Sequence, residues 1–276
     1  MTDVKYVFLI AAIVYLALLL LLYLGQRRMM YFPDRSLITP AAAGFPEAKA
    51  ENIKAGDGET IQIWYRPPNI GKPLILYFHG NAGQIAGRAE RFTLLSKSGH
   101  GILALSYRGY GPSSATPTEP GLIMDGRAAF AYALAKGHQP QDIFLVGESL
   151  GTGIAITLAV ETPVGGVILE APFSSALAVA QSAYWMFPMR ALMKDHFRSD
   201  LKIAKINTPL LIFHGTADPV MPIRFSKELF DLAKEPKTFV EIPGGGHQVL
   251  ERQDVLAQIT NWIEKRSTRK IGKPGQ

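Results

Sequence analysis

Ile143-Phe144-Leu145-Val146-Gly147-Glu148-Ser149-Leu150-Gly151 is the stretch on which the reading of this chain turns. Its first four residues form a short apolar run of the kind a fully buried strand requires, and a helix-compatible stretch opens at Thr152. Between them lies G-x-S-x-G, a strand-to-helix turn sharp enough to project the Ser149 hydroxyl beyond the sheet. Glycines two residues to either side relieve crowding where a side chain would clash. The context favours an elbow serine, a candidate nucleophile for acyl transfer, over a plain glycine-rich turn.

Working outward, the pattern repeats. Short apolar runs at 74–78, 102–106, 143–146, 167–169, 210–213 and 239–242 are each followed by Gly-rich or polar punctuation. Helical stretches fall between them at about 84–98, 119–135, 152–161, 223–233 and 253–265. Ile61, Ile63 and Tyr65 alternate with polar neighbours, as in a half-buried strand. Strand–helix alternation with doubly buried strands predicts an α/β fold: a mainly parallel sheet with helices on both faces. In such sheets chemistry gathers in the loops beyond the strands' carboxyl ends.

A serine hydroxyl needs a base to take its proton during attack. In the elbow context the acid and then the base follow the serine along the chain. Of six histidines only His196, His214 and His247 lie downstream. His247 ends Pro243-Gly244-Gly245-Gly246-His247, a flexible loop able to carry an imidazole over the sheet, and is the expected base. Asp218, in Gly215-Thr216-Ala217-Asp218-Pro219 after the run at 210–213, is the expected acid, with Glu170 its rival. His196 and His214 are assigned structural roles. The oxyanion requires donors: the Leu150 N–H beside the nucleophile, and the Asn81 N–H, with Ala82 as an alternative, from Tyr77-Phe78-His79-Gly80-Asn81-Ala82-Gly83. His79 is read as an organiser of that loop.

One connection, 174–206, is longer and holds Tyr184, Trp185, Met186, Phe187, Met189, Met193 and Phe197. It reads either as helices packed on the core or as a small cap whose adaptable side chains touch an apolar substrate. In the second case Trp185, Met186, Phe187 and Met189 are the expected contacts.

Residues 6–24 form an uncharged run of 19 with thirteen Leu, Ile, Val or Phe. At ~1.5 Å per residue it spans ~28 Å, close to the ~30 Å hydrocarbon thickness of a bilayer. Lys5 and Arg27/Arg28 bracket it, and Tyr6 and Tyr23 stand near its ends. A cleaved signal peptide is the competing reading, but the run exceeds an ordinary h-region and Tyr23-Leu24-Gly25-Gln26-Arg27 offers no A-x-A-like site. A buried soluble helix is seldom apolar on every side. The expected organisation is an anchor at 1–28, a linker at 29–50, a single catalytic domain at 51–265 and a basic tail at 266–276. Arg27, Arg28 and Arg35 outnumber Lys5 across the run, which leans the body towards the cytoplasmic side.

Composition narrows the functions further. Cys is absent, which excludes disulfides, thiolate zinc sites and a cysteine nucleophile. The net charge of +6 sits largely at the ends: Arg27 and Arg28 after the apolar run, then Lys265, Arg266, Arg269, Lys270 and Lys273. A solvated tail or anionic lipid headgroups fit that placement better than nucleic acid. No H-E-x-x-H or other metal pattern occurs, and Gly244–Gly246 lacks the Lys-Ser/Thr of a phosphate loop.

Together, Phe78-His79-Gly80-Asn81, Tyr107-Arg108-Gly109-Tyr110-Gly111, the elbow, His214-Gly215-Thr216-Ala217-Asp218 and Gly246-His247 resemble the α/β-hydrolase superfamily. The likeness runs from about Glu51 to Trp262 and is nearest to membrane-anchored α/β-hydrolase domain-containing proteins, some of them depalmitoylases or lysophospholipases. It implies cofactor-free serine-hydrolase chemistry on an ester or thioester, with Ser149, Asp218 and His247 as the triad. Tyr107–Gly111 then resembles a conformational motif bordering the site. His-Gly-Asn in place of a triple-glycine loop, and the short cap, weigh against a triglyceride lipase. A peptidase or amidase using the same triad, and a non-catalytic membrane scaffold, are the alternative readings.

Overall fold

A computed structural model describes residues 2–271; Lys273, in the basic tail, lies outside the described residues. Eight strands form the central sheet: β1 (Lys49–Lys54), β2 (Thr60–Arg66), β3 (Leu74–Phe78), β4 (Gly101–Ser106), β5 (Ile143–Glu148), β6 (Gly166–Glu170), β7 (Leu210–Gly215) and β8 (Lys237–Ile242). Their spatial order is β1-β2-β4-β3-β5-β6-β7-β8. β2 pairs antiparallel with β1 and β4, and all the other neighbours are parallel. The elbow strand β5 is therefore central, flanked by β3 and β6, which carry the loop at 79–83 and Glu170 at their carboxyl ends.

The pleat explains why the strands read as continuous apolar runs. Along β3, Leu74, Leu76 and Phe78 join the core on one face while Ile75 and Tyr77 join the core on the other. The first face is covered by α3 (Glu119–Ala135), α4 (Gly151–Glu161) and α7 (Ile223–Leu232), through Leu122, Ile154 and Phe225 among others. The second is covered by α2 (Ala89–Ser96) and α8 (Gln253–Ile271), through Phe92, Leu256 and Trp262. Fully burying each such side chain contributes roughly 1.5–3 kcal/mol. α3 starts where Thr118 accepts the Gly121 N–H at 3.1 Å, with Pro120 in the first turn, where its missing donor costs nothing.

Several boundaries differ from the sequence expectation. β2 is covered on both faces, with Ile61 and Ile63 joining the core on one side and Trp64, equally buried, joining the core on the other. Residues 29–50, read as a linker, contain the end of the first helix, a two-residue parallel pairing of Phe32–Pro33 with Ala82–Gly83, and the start of β1. β1 alternates exposed and half-buried residues from Ala50 to Lys54 at the sheet edge and has no apolar run to betray it. α8 continues past Lys265 to Ile271, a stretch that includes the good helix formers Arg266, Arg269 and Lys270.

The first helix, α1 (Thr2–Met30), is longer than the apolar run, because Gln26, Arg27, Arg28, Met29 and Met30 are themselves good helix formers. Val4–Met30 is long and apolar enough to cross a membrane. Phe8, Leu21 and Leu24 are 66–70% exposed. Leu19, Leu22, Gln26 and Met30 recur at helical spacing as a half-buried stripe facing the body. The long connection forms a cap of two short helices, α5 (Ala176–Ala183) and α6 (Met189–Leu192). Ser175 caps α5 by accepting the Ala178 N–H at 2.9 Å.

Candidate active site

β5 runs straight into the elbow. Ser149 has φ +49°, a left-handed conformation that costs a non-glycine residue roughly 1–3 kcal/mol. The surroundings enforce it. The Ser149 N–H donates to the Glu170 carbonyl at 2.9 Å, and the Ser149 carbonyl accepts from Thr152 N at 3.0 Å and Thr152 Oγ1 at 2.6 Å. Neither flanking glycine tolerates a side chain. A Cβ on Gly151 would lie 2.1 Å from the Phe78 carbonyl oxygen, and one on Gly147 would lie 2.7 Å from the Thr152 Cα.

Beneath the elbow is a buried ion network. Glu148 accepts from Arg88 Nη2 at 2.6 Å, Arg91 Nη1 at 3.1 Å and the Tyr77 hydroxyl at 2.9 Å, while Arg91 also donates to Tyr77. Burial pushes the Glu148 carboxyl up, but the two guanidiniums outweigh it and hold it below the usual carboxylate range. Glu170 is less well compensated. Its Oε2 lies 3.4 Å from Arg91, and its Oε1 accepts the Leu250 N–H at 2.6 Å. Burial, partly opposed by Arg91 and reinforced by Glu148, pushes its carboxyl up to about 7. Glu170 thus ties the elbow, through its carbonyl, to the loop following His247, through its side chain.

At the ends of β7 and β8 the structure brings Asp218 and His247 together. His247 Nδ1 donates to Asp218 Oδ2 at 2.7 Å. The other carboxylate oxygen accepts the Val220 and Met221 amides at 2.8 and 2.9 Å. Burial alone would raise the Asp218 carboxyl, but these bonds and His214, 3.3 Å away, hold it well below its ordinary value. For His247 burial acts downward, and the bonded Asp218 overrides it to raise the imidazole above 6.5. The rival acid, Glu170, takes no part in this pair. Gly244–Gly246, expected to be a flexible stem, is laced to the acid loop by Ala217 N to Gly245 O at 2.9 Å and Gly244 N to Thr216 Oγ1 at 2.9 Å.

Among the described residues neither Ser149 Oγ nor His247 Nε2 makes an internal hydrogen bond, and the Asn81 and Leu150 N–H groups likewise donate to nothing. Unspent donors beside an elbow serine suit a developing oxyanion, and serine–base contacts often tighten only when substrate binds. The loop at 79–83, expected to supply an oxyanion donor, is held from behind. Tyr107 donates to the His79 carbonyl at 3.0 Å and Tyr110 to the Asn81 carbonyl at 2.7 Å. His79 packs between those two rings, with centroids 4.3 and 4.9 Å away, and burial drives its imidazole down to about 3, keeping it neutral. The Tyr107–Gly111 motif therefore buttresses the loop.

Ser149, Leu150 and Asn81 border one cavity of ≈ 270 Å³. Met189, Met193 and Tyr184 line its cap side. Trp185, Met186 and Phe187 do not line it; Trp185 and Met186 are 78% and 62% exposed at the cap tip. The opposite wall is α1, through Leu22, Gln26, Arg27, Met29 and Met30. Sequence reasoning missed this wall because a contact between a terminal helix and a cap more than 150 residues away leaves no local signal. Among the described residues no group of three His, Asp or Glu could hold a metal ion.

Sheet order, elbow and cap define an α/β hydrolase. The α/β-hydrolase-fold family model matches residues 73–192, and one described as serine aminopeptidase, S33 matches residues 189–254. An uncharacterised Mycobacterium tuberculosis protein, Rv2307c, is 35% identical over 92% of both chains. Lysophosphatidylserine lipase ABHD12 of Rattus norvegicus is 31% identical over 79% of this chain and 64% of its own length. Among solved structures, the Pyrococcus furiosus esterase Pf2001 superposes with a TM-score of 0.67 at 18% identity, covering 86% of this chain and 98% of that one. This chain belongs to the α/β-hydrolase superfamily.

Proposed function

We propose that this protein is a membrane-anchored serine hydrolase that cleaves carboxylic esters or thioesters of acyl-chain amphiphiles such as lysophospholipids or S-acylated proteins. One observation carries the reading: the Asp218–His247 pair at 2.7 Å at the carboxyl end of the sheet whose elbow presents Ser149 at φ +49°. His247 Nε2 takes the Ser149 proton as Oγ attacks the carbonyl carbon, and Asp218 steadies the resulting imidazolium. The Asn81 and Leu150 amides hold the oxyanion. The imidazolium returns its proton to the departing alcohol or thiol, leaving an acyl-enzyme. Water, deprotonated by His247, then releases the acid and restores Ser149. The apolar α1 serves as the anchor, with the body leaning to the cytoplasmic side by its flanking arginines.

The serine aminopeptidase match favours a second reading, amide cleavage. Against it, among the described residues Asp195 is the only carboxylate lining the cavity, and it is already paired with Arg27 at 2.9 Å, so none of them offers a free acid to a peptide's α-ammonium group. Labelling by a fluorophosphonate probe tests the proposal: wild type should react, and Ser149→Ala and His247→Ala should not. Label retained in Ser149→Ala overturns the assignment of the nucleophile. Matched ester and amide substrates then separate the two readings, faster amide turnover favouring the peptidase.

A further inference from the structure

The cap and α1 touch over a long stretch. Near the root, Gln26 Nε2 donates to the Leu192 carbonyl at 2.9 Å, Lys194 N donates to Gln26 Oε1 at 2.7 Å, and Arg27 pairs with Asp195. Lys194 Nζ stands 4.1 Å over the Tyr23 ring. At the tip, the Tyr15 hydroxyl donates to the Met186 carbonyl at 3.0 Å, and the Tyr15 and Phe187 rings stack at 5.8 Å, 7° from parallel. The cap thus lies alongside α1 from Arg27 back to Tyr15, about 18 Å of helix.

That length fixes a depth. If residues 6–24 fill the hydrocarbon layer, Tyr15 lies about 14 Å inward from the Leu24 end, close to the bilayer's middle. Whatever stacks on Tyr15 lies at similar depth. The cap's sequence suits that place independently: residues 174–189 contain no charge, and the tip exposes Tyr184, Trp185 and Met186 at 41%, 78% and 62%. In water such a cluster beside a bare apolar helix would be a large exposed patch. Arg190, exposed just after the tip, has a stem long enough to snorkel towards the headgroups. The cavity lies between the same two elements, with Leu22 on one side, Ala183 and Tyr184 on the other, and Ser149 in its lining.

We propose that the cap tip, residues 184–187, is sunk in the bilayer beside α1, and that the cavity takes its acyl chain sideways from the hydrocarbon layer through the gap between α1 and α5. The proposal rests on the anchored-hydrolase reading. α1 is then one wall of the acyl site as well as a tether, and a lipid substrate keeps its chain in an apolar medium on the way to Ser149.

Trp185 reports on this directly, since the other two tryptophans, Trp64 and Trp262, are 0% and 9% exposed within the body. The full chain is reconstituted in phosphatidylcholine vesicles with bromine on the acyl chains, and tryptophan emission is compared between wild type and Trp185→Phe. The expected result is strong bromolipid quenching in wild type that disappears in Trp185→Phe, with little quenching by acrylamide in the water. Trp185 emission quenched by acrylamide but not by bromolipid, in protein that still floats with the vesicles, overturns the proposal while leaving the anchor intact. Emission reached by neither quencher means that a second copy covers the tip, and also overturns it. Protein that fails to float removes the anchored reading itself.

Discussion

The side-chain amide of Asn81 donates to the carbonyl of Met30 at 3.0 Å, so the loop carrying a proposed oxyanion donor is fastened to the last residue of α1. The link is reinforced on either side. Phe32 N donates to the Asn81 carbonyl at 2.9 Å, and Asp34 N to the Gly83 carbonyl at 3.1 Å. A loop that must present a backbone N–H to a transient charge gains from being held on two sides, by the chain leaving the helix and by Tyr110.

Asn81→Ala keeps the backbone N–H but releases the tie. A neutral hydrogen bond is worth about 1 kcal/mol, so kcat on a soluble ester should fall roughly three- to tenfold. KM should change by less than about twofold, because the donor acts on the transition state rather than on bound substrate. A rise in KM at constant kcat would show that Asn81 serves binding alone.

Because Asp218 raises the His247 imidazole above 6.5, and the proposed base must be neutral to act, kcat/KM should climb with pH along an acid limb centred above 6.5. Asp218→Asn removes the charge that favours the imidazolium. The limb should move to lower pH while kcat drops by about 10⁴. Stopped assays across pH 5–9 on both proteins read this out, and a limb that stays put in Asp218→Asn would mean that another group titrates.

How much of this was legible follows the range of each interaction. Ser149 stood out because an elbow is written in five consecutive residues, each with a steric reason. Asp218 and His247 could be paired because chain order after the elbow restricts the candidates, although nothing in the sequence showed His214 at 3.3 Å from Asp218. The parallel strands announced themselves as apolar runs; the polar edge strand β1 did not. The cap aromatics were visible as a cluster, but their direction was not. Met189 turns into the cavity while Trp185 and Met186 turn outward, a distinction set by the turn that Phe187 N closes on the Tyr184 carbonyl at 2.9 Å and by contacts with α1. The role of α1 as a cavity wall depends wholly on such distant contacts.

Glu170 offers a stability test. Its carboxyl is raised from 4.5 to about 7, so between those values the folded chain binds protons that the unfolded chain has released. Its contribution is fully present below pH 4.5 and is lost as pH rises through about 7. Glu170→Gln keeps an acceptor for Leu250 N and abolishes the titration. Its melting temperature should therefore decline less than that of wild type between pH 5 and 7.5. Parallel curves would mean that Glu170 is ionised throughout.

Arg27 and Asp195 couple α1 to the cap through two contacts, Nε to Oδ2 at 2.9 Å and Nη2 to Oδ1 at 3.2 Å. The Asp195 side chain is 2% exposed and that of Arg27 is 42% exposed, so the acid depends on its partner more than the reverse. Arg27→Ala leaves a carboxylate beneath the cap facing the Glu119 N–H, at 3.1 Å, and the neighbouring Tyr31 hydroxyl, with no cation paired to it among the described residues. Breaking a fully buried pair costs ~3–5 kcal/mol; with Arg27 half solvated, about 1–2 kcal/mol is expected. For a chain of this size that lowers the melting temperature by roughly 3–6 °C. Asp195→Asn introduced into Arg27→Ala removes the stranded charge and should recover most of the loss, giving a coupling energy near the single-mutant cost. Independent, additive effects in that cycle would mean that Asp195 is solvated through the cavity and that the ion pair does not join α1 to the cap.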